Sequence, residues 1–168
     1  MTLSPNGDRA YATARADDAL VVLDTTKFLN DPDHAKIGTV PVGKSPTGST
    51  LMDGGTKLIV SNIGSPNEQQ SLTVIDTAKV TSGAAAVIGM IPVGSGPRDA
   101  TVLKDGRTLI VPNFNSSTLT LIDARTNRVV GDPVVLPVNP FAVAVTPGAV
   151  WVTSVAENKL AKLTGRGA

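Results

Sequence analysis

The chain has 168 residues and a formal net charge of +1, with 15 basic and 14 acidic side chains. This balance gives no electrostatic case for a nucleic-acid partner or for attraction to an acidic membrane surface. Apolar residues make up 41% of the chain and charged residues 17%, which argues against disorder, and the absence of cysteine excludes disulfides and thiol chemistry.

A unit of four short apolar segments, A to D, recurs along the chain. Segment A ends at a turn glycine, and Asn-Gly or Asp-Gly between apolar runs is a strong hairpin signal, because glycine reaches positive φ without steric cost. The turn glycines are Gly7, Gly55, Gly106 and Gly148. In chain order, the predicted strands after these turns are 10–13, 20–23 and 37–40; 58–61, 72–75 and 88–91; 109–111, 119–122 and 134–136; and 150–153 and 160–163.

The period of the unit, roughly 40–50 residues, is typical of the four-stranded blades of a β-propeller. The sequence therefore predicts a single all-β domain, an incomplete propeller arc of antiparallel four-stranded blades. We place the blades at 1–43, 44–94, 95–137 and 138–168, of which the first and last are partial. The chain is then either a piece of a larger propeller or a half-ring that closes with a partner. Incomplete blades leave unpaired strand edges, which predicts self-association.

Several segments resemble the YVTN-type β-propeller repeat proteins, which are named after a Tyr-Val-Thr-Asn string in strand B. Segment 4–11, Ser-Pro-Asn-Gly-Asp-Arg-Ala-Tyr, is similar to the family's Ser-Pro-Asp-Gly-Lys-x-x-Tyr, and segment 72–77 resembles its Val-Ser-Val-Ile-Asp-Thr. The Pro-Val-Gly strings that end at Gly43 and Gly94 resemble its blade ends. The full Tyr-Val-Thr-Asn string is not present in any copy.

The resemblance implies a propeller fold and a mixed set of functions. The family includes surface-layer and adhesion-type proteins, DNA-associated and periplasmic binding proteins, and relatives of lactonases and of cofactor-bearing dehydrogenase subunits. By this resemblance the protein is expected in the periplasm or outside the cell, although no signal peptide and no membrane-spanning apolar run is visible in the chain. The function has to be argued from the site, because one fold hosts many functions.

Residues typical of catalysis or metal binding are scarce. His34, the one histidine, lies in an Asp-Pro-Asp-His loop that we interpret as a solvated turn, since Asp and Pro are turn formers. Without cysteine or a second histidine, a transition-metal site is not expected. Asp24, Asp76 and Asp123 recur at one place in successive blades and are interpreted as turn residues. No catalytic residue, metal ligand or cofactor is assigned.

The loops that join strand D to strand A, and strand B to strand C, share the face of a propeller where ligands usually bind. Arg98 is the strongest candidate for ligand binding on that face, because it is a cation at the start of an innermost strand that faces the central channel. Its alternative role is an ion pair with Asp99 or another nearby carboxylate. Trp151, in the middle of a strand B, is assigned to the core. The candidate ligand-binding residues are Lys44, Arg98, Asn113, Phe114 and Asn139.

The favoured function is non-enzymatic: a scaffold of the cell envelope that presents this loop face to a protein, peptide or glycan. Two cations among several amides suit an anionic or sugar-like partner. The alternative is a fragment of a lactonase-like or cofactor-associated propeller enzyme, with most catalytic groups on blades outside this chain. Neither a nucleic-acid partner nor a membrane span is expected.

Overall fold

The computed structural model describes residues 1–65 and 67–163, which form four antiparallel sheets in chain order. The first sheet contains Thr2–Leu3 (β1), Arg9–Ala14 (β2), Ala19–Asp24 (β3) and Lys36–Pro41 (β4). The second contains Pro46–Met52 (β5), Lys57–Asn62 (β6), Ser71–Asp76 (β7) and Val87–Pro92 (β8). The third contains Thr101–Val102 (β9), Thr108–Asn113 (β10), Thr118–Asp123 (β11), Arg128–Val129 (β12) and Val134–Val135 (β13), and the fourth Ala142–Thr146 (β14), Ala149–Ser154 (β15) and Lys159–Leu163 (β16).

Consecutive strands are hydrogen-bonded neighbours in every sheet, so each sheet is an up-and-down blade. The prediction of an all-β, incomplete propeller arc is confirmed, and the described sheets are not closed into a ring. The fourth sheet has three strands within the described residues, and the predicted end of that blade, 164–168, lies outside them.

Helix occurs in the described residues only as short 3-10 turns, none of which is long and apolar enough to cross a membrane. These turns are Arg15–Asp17, Thr25–Lys27, Pro32–His34, Asp53–Gly55, Thr77–Lys79 and Gly83–Ala86. Two of them start at a repeated aspartate: Asp24 Oδ1 accepts from the Thr26 amide, and Asp76 Oδ1 from the Ala78 amide, each at 3.0 Å. The repeated aspartates are thus turn residues, as their equivalence along the chain predicted.

Strand D of the third blade differs from the prediction of one strand at 134–136. It is divided into β12 and β13, which both pair with β11. Between them Gly131 has a φ of +67°, and Pro133 follows, so the backbone leaves the ladder where proline has no N–H to donate.

Apolar side chains fill the spaces between neighbouring blades. Ile59 and Leu72 of the second blade pack with Leu109 and Val111 of the third, and all four are at most 1% exposed. Burial of a side chain of this size stabilises a fold by about 1.5–3 kcal/mol relative to exposure. Similar clusters join the first blade to the second and the third to the fourth.

A threonine on the innermost strand of three successive blades also joins each blade to the next. The Oγ1 atoms of Thr2, Thr50 and Thr101 donate to the backbone oxygens of Ser49, Ala100 and Val143, at 2.6, 2.8 and 2.7 Å. Each threonine lies opposite a strand-B residue, and residues directly opposite in an antiparallel pair share a face. The threonine and its opposite residue therefore both face the next blade. These pairs are Thr2 with Tyr11, Thr50 with Ile59, and Thr101 with Ile110, while the fourth blade has Ala144 with Trp151.

Candidate ligand-binding site

Arg98 lies just before β9, where its backbone is fixed to the end of β10. Its amide donates to the Pro112 carbonyl oxygen at 2.9 Å, and its own carbonyl oxygen accepts from Ser61 Oγ at 2.8 Å. The first bond ties it to strand B of its own blade and the second to strand B of the preceding blade. The backbone that carries this cation is therefore held from two sides at the start of an innermost strand.

The Arg98 guanidinium packs against two phenyl rings. Its Cζ is 5.1 Å from the Phe114 ring centroid and 5.3 Å from that of Phe141. The two rings meet edge to face, with centroids 6.4 Å apart and an interplanar angle of 88°. A cation over a ring face is attracted by the ring quadrupole, at about 0.5–2 kcal/mol per contact. This arrangement positions the guanidinium without using its N–H groups.

No carboxylate forms an ion pair with Arg98 within residues 1–65 and 67–163. The alternative role, an ion pair with Asp99, is therefore not found there. Arg98 Nε is buried and has no hydrogen-bond partner there. The terminal guanidinium nitrogens likewise donate to no described residue, so they are available to an outside acceptor.

Asn139 holds the loop that carries Phe114. Its Nδ2 donates to the Phe114 carbonyl oxygen at 2.7 Å and to Ser117 Oγ at 3.1 Å. The Phe114 amide in turn donates to the Gly96 carbonyl oxygen at 2.9 Å. The structure thus brings Arg98, Phe114 and Asn139 of the candidate set together, with Asn139 acting on the loop rather than as an open surface group.

Asn113 lies inside the blade and not on the loop face, where the sequence placed it as a candidate ligand-binding residue. It is 0% exposed, and its Nδ2 donates to Thr118 Oγ1 at 3.0 Å and to Thr120 Oγ1 at 2.8 Å. A Cβ added at Gly94 would lie 2.8 Å from its amide group, so this glycine makes room for it. Asn62 repeats the arrangement in the second blade, beneath Gly43 and bonded to Thr73.

Lys44 forms an ion pair with Glu68 and has no contact with Arg98, Phe114 or Asn139 among the hydrogen bonds and ion pairs of the described residues. Its Nζ lies 3.1 Å from Glu68 Oε1, and both side chains are about half exposed or more. The hydrogen bond from Lys44 is the main cause that lowers the pKa of Glu68 below its ordinary value. The pair belongs to the same loop face, because Lys44 precedes β5 and Glu68 lies between β6 and β7.

A cleft of about 280 Å³ opens beside Arg98, lined by Thr47, Arg98, Asp99, Phe141 and Ala142. These residues come from three successive blades. Thr47 is the extra residue of a β-bulge, where the register of β5 against β6 shifts. A bulge changes the direction of the side chain of the extra residue. Asp99 extends over β5, where a Cβ at Gly48 would overlap its carboxylate. Phe141 is 43% exposed.

Sequence reasoning missed Thr47, Asp99 and Phe141 as members of the site. A signal for two of them exists. Each blade after the first starts its innermost strand with a proline, and the residue after that proline is Thr47, Arg98 or Phe141. The position that singled out Arg98 therefore also indicates the other two.

The opposite face carries carboxylates that the turns already use. Asp105 Oδ1 accepts from the amides of Arg107 and Thr108, both at 2.8 Å, and the bond to Thr108 is the main cause that lowers its pKa. Asp53 differs, since its carboxylate pairs with Lys57. His34, in the first blade, contacts the Asp31 carboxylate in an exposed loop. Within the described residues no group of three His, Cys, Asp or Glu is arranged to hold a metal ion.

No protein-family model matches the sequence, and the comparison with curated proteins gives no match. Solved structures share the fold. Hydrazine synthase from Kuenenia stuttgartiensis has a TM-score of 0.71 at 22% identity, over 96% of this chain and 52% of that chain. The β-propeller domain of Cps50 (Swd1) from Myceliophteria thermophila gives 0.70 at 10%, over 96% and 49%, and streptogramin B lyase gives 0.70 at 16%, over 99% and 51%.

These neighbours place the chain among the β-propellers. The chain spans about half the length of each of the three proteins. Their names include enzymes and a propeller domain, and at these identities the likeness shows the fold alone.

Proposed function

We propose that this protein is a non-enzymatic binding propeller that recognises its ligand on the face formed by the D–A and B–C loops. One observation carries the proposal: the Arg98 guanidinium is fixed on two phenyl rings and has no acceptor among the described residues. A planar donor fork that is positioned but unpaired suits recognition of an oxygen-rich partner. The partner is a protein, peptide or glycan that lies across the starts of the innermost strands.

The five candidate residues take different parts in this proposal. Arg98 and Phe114 form the contact surface at the centre. Asn139 holds the Phe114 loop, and Asn113 holds the ends of β10 and β11 from inside the blade. Lys44 supplies a second cation on the loop face, paired with Glu68.

We extend the proposal to the YVTN-type repeats. Asn62 and Asn113 support it, because each ends a strand B, as the asparagine of the Tyr-Val-Thr-Asn string does, and each bonds a threonine of strand C beneath a blade-end glycine. We also propose a location in the cell envelope, as the resemblance implies. Recovery of the tagged protein in the periplasmic or surface fraction tests that location.

The binding proposal is tested by screening the purified chain on a glycan array and against a random peptide library. The hits are then measured with two variants. Arg98→Ala removes a charge-assisted donor and should weaken binding by about 1–3 kcal/mol. The matched control is Arg125→Ala, an exposed arginine in the turn between β11 and β12 on the opposite face. Equal affinity of the two variants for every hit would mean that the ligand binds elsewhere.

A further inference from the structure

We infer that the ligand of this face is a neutral saccharide, with Phe141 as its stacking platform and Asp99 as the residue that rejects anions. The inference rests on the proposed binding function and deepens it by naming the ligand class. It starts from the cleft that Thr47, Arg98, Asp99, Phe141 and Ala142 line, of which only Arg98 belongs to the candidate set drawn from the sequence.

The two charged groups of the cleft have opposite hydrogen-bonding needs. The Asp99 carboxylate is exposed and offers acceptors, whereas the Arg98 guanidinium only donates. Neither bonds another described side chain. A hydroxyl group both donates and accepts, so adjacent hydroxyls of one sugar ring satisfy both charges. The Thr47 hydroxyl donates to the carbonyl oxygens of Ser61 and Pro97 at 3.3 Å, so at the cleft wall its oxygen acts as an acceptor.

Phe141 supplies the apolar part of such a site. Phe141 is 43% exposed. Two contacts hold its ring in place: an edge-to-face contact with the Phe114 ring and a cation–π contact with the Arg98 guanidinium. A fixed, exposed ring offers contact area at low entropic cost, and the C–H face of a pyranose is an apolar surface of matching size. The aromatic ring can thus contact the apolar face of a sugar, while the neighbouring donor and acceptor bind its hydroxyl groups.

Asp99 also makes an anionic ligand unfavourable in this cleft. An anion drawn to Arg98 would meet the carboxylate of the next residue, and a like charge in a site is an effective means of rejecting a partner. The position of Asp99 depends on Gly48, because a Cβ there would overlap the carboxylate. Glycine at 48 thus makes room for the acceptor from the neighbouring blade.

The experiment is calorimetric titration of the full chain with hexasaccharides. The neutral probes are the β-1,4 hexamers of glucose, mannose, xylose and N-acetylglucosamine, and the acidic probe is hexagalacturonic acid. We expect at least one neutral probe to bind and the acidic probe to bind more weakly. Phe141→Ala should weaken the neutral probe at least tenfold, and Phe141→Trp should restore it. Asp99→Asn should weaken the neutral probe and strengthen the acidic one.

The matched control is Phe28→Ala, since Phe28 is a 40% exposed phenylalanine between β3 and β4 on the first blade. Gly48→Ala is a second probe of Asp99 that leaves its charge in place, and it should reproduce the loss of neutral saccharide. Thermal melts confirm that each variant is folded. Tighter binding of the acidic probe by the unmodified chain, or no binding of any neutral probe, overturns the inference. If an Arg98-dependent protein or peptide ligand is found in that case, the proposed function stands without it.

Discussion

Asp123 is the carboxylate with the strongest set of local partners on the turn face. Arg107 Nε donates to its Oδ2 at 2.8 Å, and its Oδ1 accepts from the amides of Arg125 and Thr126 at 2.9 and 3.0 Å. These bonds, the one from Arg107 first, lower the pKa of Asp123 to about 2. The native carboxyl thus releases its proton below the usual unfolded value of about 3.9.

The pH dependence of stability follows from that difference. Between about pH 4 and pH 2 the unfolded state binds more protons at this residue, so its contribution is present above about pH 4 and is lost as the pH falls to about 2. Urea unfolding at a series of pH values checks this: Asp123→Asn should flatten the acid limb of the stability curve. Asp132→Asn, which removes an exposed carboxylate of the same blade, is the matched control. An unaltered limb in the Asp123 variant would contradict the assignment.

Asn113 shows why a polar residue at a strand end is ambiguous in sequence. Hydrophilicity and a position next to a loop favour the surface, yet this side chain is fully buried. Gly94 leaves the space and the Nδ2 group donates to two threonine hydroxyls, while Oδ1 has no partner among the described residues. Both partners lie on β11, the next strand along the chain, and the pairing of β10 with β11 brings them to the asparagine; the hairpin can be read from the sequence, but the inward direction of this side chain cannot.

Among the elements, the innermost strands show how successive blades are joined. Their threonine hydroxyls donate to backbone carbonyl oxygens of the next blade. Without this bond the carbonyl oxygen would lie partly buried between the two blades with no donor. Such a bond contributes about 0.5–1.5 kcal/mol, and an acceptor left without it costs desolvation as well.

Thr50→Val removes the hydroxyl and keeps the shape of the side chain. We expect the free energy of unfolding to fall by about 0.5–1.5 kcal/mol, because the Ala100 carbonyl oxygen loses its donor. Urea unfolding at one fixed protein concentration measures the change. Thr126→Val, on an exposed turn of the third blade, is the control and should match the parent chain. Identical midpoints for the two variants would mean that the inter-blade bond contributes nothing.

Strands B and C were predictable because each carries an apolar run bounded by turn residues, and their pairs occur in the structure. The division of strand D in the third blade was not, although Gly131 and Pro133 stand in the sequence. Because strand D is a single strand in the first two blades, the repeat predicted a single strand D in the third blade as well. A repeat predicts the shared part of each blade, whereas the local departures depend on single glycines and prolines.

At the scale of the whole molecule, the arc brings the residues after three blade-start prolines to one cleft. Arg98 was foreseen from its place in the repeat; Phe141 has the equivalent place in the next blade, but its contact with the Phe114 ring appears only in the folded chain. Thr47, Arg98 and Phe141 are each about one repeat apart in the sequence. Their meeting depends on the curvature of the arc, which no single blade encodes.

The fourth blade presents a face that the other blades bury. Trp151 has the position that Tyr11, Ile59 and Ile110 have in the earlier blades, where these residues are 2%, 1% and 4% exposed against the next blade. Leu160, which shares this face through its pairing with Thr153, is 61% exposed, and Ala144 and Ala142 are exposed beside it. On this face the Trp151 ring is contacted by the Lys162 ammonium, 5.4 Å from its centroid, and its Nε1 donates to Thr146 Oγ1 at 3.0 Å.

An apolar sheet face of this kind drives association. We expect the chain to sediment as dimers or larger species across the micromolar range, and Trp151→Ser and Leu160→Ser to shift it towards monomer. Leu29→Ser is the matched control, because Leu29 is 93% exposed on the first blade and lies far along the chain from this face. The emission of Trp151, the one tryptophan, should move to shorter wavelength with rising concentration as the ring leaves water. A stable monomer at every concentration, with unchanged emission, would show that the chain leaves this face in solvent.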